Sequence, residues 1–162
     1  MSAYELATLV SALAVLVISA ITDMKTRKVP NVVTFPAMIL GIVLTATMNG
    51  SDMLFRIVWL VFLFFFGTLG LMGMGDLKLL MALVALRGMG ETSLTLLFGS
   101  LLLIAYCLVT ETTAMTETLK DTGRFLTIGT GIRKLSDSEY PFAPFFAIAY
   151  PIAWFVAGNL RW

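Results

Sequence analysis

The sequence predicts an all-α protein, a bundle of about six transmembrane helices forming one domain over 1–162, and three observations carry that prediction. Hydrophobic residues make up 59% of the chain and charged residues 13%, with a mean hydropathy of +0.93, far from the balance of a water-soluble domain of 162 residues. The apolar residues fall into runs at roughly 6–22, 32–48, 54–72, 77–86, 94–109 and 142–160. Most of these approach the ~20 residues that cross ~30 Å of hydrocarbon at 1.5 Å per residue. The basic residues gather in alternate connections, as they do in chains that thread a membrane.

The first run follows a segment, 1–5, that holds an acid and no base, unlike a secretory signal, so this helix is expected to stay in the mature protein. It ends near Asp23, ahead of Lys25, Arg27 and Lys28. Pro30 disfavours helical geometry at Val29, and Asn31 or Thr34 is suited to cap the second helix, with Pro36 in its first turns. The third run contains a bulky stretch, 61–66, expected to face lipid or pack. The fourth is short and must be tilted, partly interfacial, or extended through Gly75 and Arg87. After the fifth comes the one substantial polar stretch, 111–140, broken by Gly123, Gly129 and Gly131 and carrying four bases. It reads as a cytoplasmic loop with a short interfacial amphipathic helix around 116–125. Pro141 suits the first position of the last helix.

Cytoplasmic loops collect Lys and Arg, which sets the orientation. With the amino terminus outside, Lys25, Arg27, Lys28, Lys78, Lys120, Arg124, Arg133 and Lys134 are inside, and Arg56, Arg87 and Arg161 are outside. Asp23 then ends helix one and Asp76 begins helix four, both at the cytoplasmic side, where they can meet.

Several function classes are excluded. The chain has no histidine, so serine–histidine chemistry and the usual nitrogen ligand for zinc are missing. A single Cys107 within an apolar run rules out disulfides and Cys-x-x-Cys metal sites and reads as a small hydrophobe. A net charge of +1 without a concentrated basic run argues against nucleic acid as a partner. The ten methionines read as packing, and neither a metal nor a cofactor is expected. Tyr106, Tyr150, Trp154 and Trp162 are expected to anchor helices at the headgroups. Asp52, Glu91, Asp137 and Glu139 are expected in solvated loops.

Asp23 and Asp76 stand apart, because an ionisable group at the margin of a membrane core is costly and by default functional. The alternative for each is a helix-end acid that caps or solubilises, and Asp76 also gains from the helix dipole. Two carboxylates brought close in a partly dry site cannot both ionise easily, so the pair shares a proton and is able to activate water for attack on a peptide carbonyl. Gly73 and Gly75 remove side chains just before Asp76, which suits either close approach of an extended peptide or tight helix packing.

Asp23 followed by Lys28-Val29-Pro30-Asn31, then Gly73-Met74-Gly75-Asp76-Leu77-Lys78, then Pro141-Phe142-Ala143-Pro144, resembles the type IV prepilin leader peptidase family of Gly-x-Gly-Asp aspartic proteases. The resemblance runs from helix one to helix six. It implies that Asp23 and Asp76 are the catalytic pair, with Gly73, Gly75, Lys78, Pro30, Asn31, Pro141 and Pro144 as supporting motif residues. It implies a prepilin or pseudopilin substrate, cut after its short basic leader at the cytoplasmic face of the inner membrane. The bases Lys25, Arg27, Lys28 and Lys78 are expected to serve first as positive-inside anchors, with recognition of an acid near the start of the mature pilin as the second reading. Longer relatives insert a domain with paired Cys-x-x-Cys motifs and also methylate the new amino terminus. This chain has neither the cysteines nor the room, so cleavage without methyl transfer is expected.

Three rival readings are weighed. A cation relay in a transporter or channel would place acids near mid-helix rather than at helix ends. A presenilin-like enzyme typically has a tyrosine before its first aspartate, where Thr22 stands here. A non-enzymatic assembly subunit of a pilus or secretion machine is the remaining alternative.

Overall fold

The structure, a computed structural model, describes residues 2–48, 50–68, 73–110 and 141–160. Six helices run through them: α1 (Ala3–Thr26), α2 (Asn31–Met48), α3 (Gly50–Thr68), α4 (Met74–Arg87), α5 (Met89–Thr110) and α6 (Ala143–Leu160), with no strand among the described residues. The polar stretch 111–140, with the amphipathic helix expected at 116–125, lies outside them, as does Trp162.

α1 starts on a capping box in which Ser2 Oγ accepts from Glu5 N–H at 3.1 Å and Ser2 N–H donates to Glu5 Oε2 at 2.9 Å. It stops at Arg27, whose left-handed backbone (φ 51°) lets its N–H close back onto Asp23 O at 2.8 Å. The helix thus continues a turn past its apolar run and keeps Asp23 on helical backbone. α2 begins at Asn31, with the N–H groups of Val33 and Thr34 donating to Pro30 O. Asn31 is therefore the first residue of the helix rather than its cap, and Thr34 lies in the first turn. α6 begins at Ala143, its first turn closing on Phe142 O, so Pro141 precedes the helix and Pro144 takes its second position.

α4 is the central element, packed against α1, α2, α3 and α5, while α6 closes against α1 and α5. It does extend through both Gly75 and Arg87, yet 14 residues rise only about 21 Å, too little for a bilayer core. Its neighbours solve the problem by surrounding it: Leu77, Leu79, Leu80 and the stretch from Ala82 to Leu86 are buried. Gly41 of α2 permits the closest approach, since a Cβ there would stand 2.5 Å from Ala85 C and 2.7 Å from Leu86 N. Outward faces carry exposed Val10, Ile39, Val58, Phe64, Phe65 and Leu101. α1 and α5 are long and apolar enough to cross a membrane, and α2 and α6 are shorter apolar helices. Together these features fit a helical membrane bundle.

Candidate active site

Asp23 and Asp76 come from different helices and open on one cavity of about 360 Å³ at one end of the bundle. Its walls are the end of α1 with Arg27, Val29 of the α1–α2 connection, Gly73 and Gly75 at the start of α4, and Pro141-Phe142 at the entry to α6. At ~30 Å³ per water, the cavity holds several waters or a short stretch of extended peptide.

Local structure fixes each acid. Asp23 is buried in the last turn of α1, and the Ala143 N–H at the free start of α6 donates to its Oδ2 at 3.1 Å. Asp76 sits in the first turn of α4, where Gly73 is the N-cap and accepts the Leu77 N–H at 3.0 Å. A Cβ at Gly73 would stand 3.2 Å from Asp76 Oδ2, and one at Gly75 would stand 3.4 Å from Val29 Cγ2. Both glycines therefore leave room at the carboxylate and the cleft wall. Asp76 lies ahead of the apolar run that starts at Leu77, and burial, then the charge of Asp23, pushes its carboxyl up to about 6.

The remaining motif residues divide. Lys78 Nζ donates to Asn31 Oδ1 at 2.9 Å, which ties the second turn of α4 to the first residue of α2. Pro30 supplies the carbonyl on which α2 starts. Pro141 lines the cavity, whereas Pro144 is not part of its wall. Of the four bases near the motifs, Arg27 reaches the cavity lining and Lys25, Lys28 and Lys78 do not. Among the described residues no group of three or more His, Cys, Asp or Glu is placed to hold a metal.

Three expectations are corrected. Asp52, though exposed, lies in the first turn of α3 rather than in a loop. Glu91 is not a solvated loop acid: it is 4% exposed and its carboxylate pairs with Arg87 at 2.7 Å across the α4–α5 junction. Tyr150 is not a headgroup anchor, because it is 1% exposed in the core. The Arg87–Glu91 pair was legible only as an i,i+4 spacing interrupted by Gly88, a residue that reads as a break.

Fold and site define a polytopic helical protein with a two-carboxylate cleft at one end of its bundle. The chain belongs to the type IV leader peptidase family, which it matches over residues 10–108, a span that includes both aspartates and ends within α5. The family is one of membrane-associated peptidases. No curated protein and no solved structure gives a match.

Proposed function

We propose that the protein is a membrane aspartic endopeptidase that removes the short basic leader of prepilins or pseudopilins, with Asp23 and Asp76 as its catalytic dyad. The observation that carries this reading is the convergence of the two carboxylates on one cavity, with Asp76 held at about 6 by burial and by its partner. The working form of the dyad carries one proton, which the raised Asp76 carboxyl takes up as pH falls toward 6. Its charged member takes a proton from a water in the cleft, the water oxygen bonds to the scissile carbonyl carbon, and the neutral member donates its proton to the developing oxyanion. Collapse of the tetrahedral centre breaks the C–N bond, the departing amine takes the proton gained from water, and the hydroxyl formed from the carbonyl oxygen returns its proton to the dyad. The dyad titrates as a unit, so the two roles belong to the pair.

The orientation of the bundle supports cleavage at the cytoplasmic face of the inner membrane. Lys25, Arg27, Lys28 and Lys78 cluster at the cleft end. Arg56 and Arg87 sit at the other end, bonded to Tyr4 and Thr8 near the start of α1. The positive-inside preference puts the cleft end in the cytoplasm. With a single cysteine and no paired Cys-x-x-Cys, the reaction stops at cleavage without methyl transfer.

The test is leader cleavage of a prepilin by the protein reconstituted in lipid, compared with Asp23→Asn and Asp76→Asn. Loss of cleavage in both variants, with normal insertion, is the expected result. Undiminished cleavage in either removes that residue from the mechanism. No cleavage by the parent across several prepilins favours an assembly subunit instead.

A further inference from the structure

The end of the bundle away from the cleft holds a polar junction that the proposed reaction does not use. Arg87, at the last turn of α4, has a side chain 6% exposed and forms a two-pronged pair with Glu91: Nε to Oε2 at 2.7 Å and Nη2 to Oε1 at 2.8 Å. Its third nitrogen, Nη1, donates across to α1, to Thr8 Oγ1 at 2.9 Å and Glu5 O at 3.3 Å. Beside it, Arg56 of α3 donates to Ala85 O of α4 at 2.8 Å and to the Tyr4 hydroxyl at 3.4 Å, and that hydroxyl lies 3.3 Å from Thr45 Oγ1 of α2. One layer of polar groups thus ties the first five helices together.

Between that layer and the cleft, the core is mainly apolar, with Ala12, Val15, Leu16 and Ala20 of α1 and Leu79, Leu80, Ala82 and Leu83 of α4 buried in it and Ser19 of α1 the polar exception on that helix. Contacts of this kind are non-directional, and each is individually small. A guanidinium fork, by contrast, demands one geometry. A buried ion pair is also poor evidence of a stabilising role, because apolar residues of similar volume often serve stability as well or better.

We propose that Arg87, oriented by Glu91, is a positioning residue that sets the axial register of α4 against α1 and so fixes how Asp76 faces Asp23. Arg87 and Asp76 are separated by about 16 Å along α4, eleven residues at 1.5 Å each. Both aspartates are carried by the helices that Arg87 joins, which makes the far-end contact a lever on the cleft. The Thr8 hydroxyl has its acceptor within α1, its one proton shared between Tyr4 O and Glu5 O, so losing Arg87 leaves no orphaned hydroxyl donor there.

The catalytic arm of this inference rests on the proposed peptidase reading, and the geometric arm does not. The perturbation is Arg87→Met with Glu91→Leu, which replaces the ion pair by apolar volume. Spin labels on Met24→Cys and Met74→Cys, both at exposed positions, report the α1–α4 distance in lipid in a Cys107→Ser background. The expected result is a distance distribution displaced or broadened by at least ~1.5 Å, the rise of one residue, at an unfolding temperature equal to or above the parent's. In the unlabelled chain, kcat for leader cleavage is expected to fall about 10²-fold with KM little changed. An unchanged distance distribution, or full cleavage by the folded double variant, overturns the proposal. Arg87→Lys, which keeps the charge and loses the fork, is read by the same two measurements if the double variant does not fold. A parent that cleaves no prepilin counts against the proposed function, and the distance measurement still decides this one.

Discussion

Replacing Asp76 by Asn is expected to make the protein more stable at alkaline pH while abolishing its chemistry. The Asp76 carboxyl, ordinarily near 3.9, is pushed up to about 6, first by burial and then by the Asp23 charge. At 1.36 kcal/mol per pKa unit this corresponds to about 3 kcal/mol, and because the carboxyl is partly open to water in the cleft, screening reduces the figure to about 1–2 kcal/mol. The sign follows from proton linkage. An acid whose folded pKa is raised holds its proton more tightly when folded, so its favourable contribution is complete below about pH 4 and disappears as pH rises through about 6. Asn keeps the shape of the neutral acid and never ionises. Thermal unfolding in detergent, followed by Trp fluorescence from pH 3.5 to pH 8, is therefore expected to show parent and Asp76→Asn nearly equal at the acid end. At pH 8 the variant gains about 1–2 kcal/mol. A stability difference independent of pH, or a variant less stable at pH 8, would falsify the reasoning. Such a gain is the trade expected of a site kept strained for function.

Two further substitutions probe the backbone around the cleft. Gly73→Ala brings a Cβ to 3.2 Å from Asp76 Oδ2 and must displace that oxygen by a few tenths of an ångström; the expected outcome is a kcat lowered about tenfold with unfolding unchanged, and an unaltered kcat refutes it. Gly41→Ala meets the backbone of Ala85 at 2.5 and 2.6 Å, which cannot swing aside, so α2 and α4 must part at a cost of about 1–3 kcal/mol; parental thermal stability speaks against that close approach.

Much of the site was legible because its residues break the apolar pattern. Asp23 and Asp76 are visible as acids at the margins of long hydrophobic runs, and Gly73 and Gly75 as absences of side chains beside one of them. What stayed hidden depends on partners distant in sequence. Glu91 reads as a loop acid because nothing local discloses that α4 and α5 meet around Gly88 with Arg87 folded across the junction. Pro141 reads as a first helical residue because its fixed φ suits that position. The actual start is chosen two residues later, where the free Ala143 N–H meets Asp23. α4 looked shorter than its 14 residues because hydropathy stops at its polar ends, whereas the helix runs on through Gly75 and Arg87. Tyr150 looked amphipathic, but α6 turns it inward.

The hydrogen bond from Ala143 to Asp23 joins residues 120 apart in the chain. The family match, at 10–108, contains both acids but not this donor. A chain ending after α5 would keep both carboxylates of the proposed dyad and lose the contact that holds one of them. The last helix thus works as a sighting device, and a change in how it docks reaches the cleft through that N–H and through the Pro141-Phe142 wall.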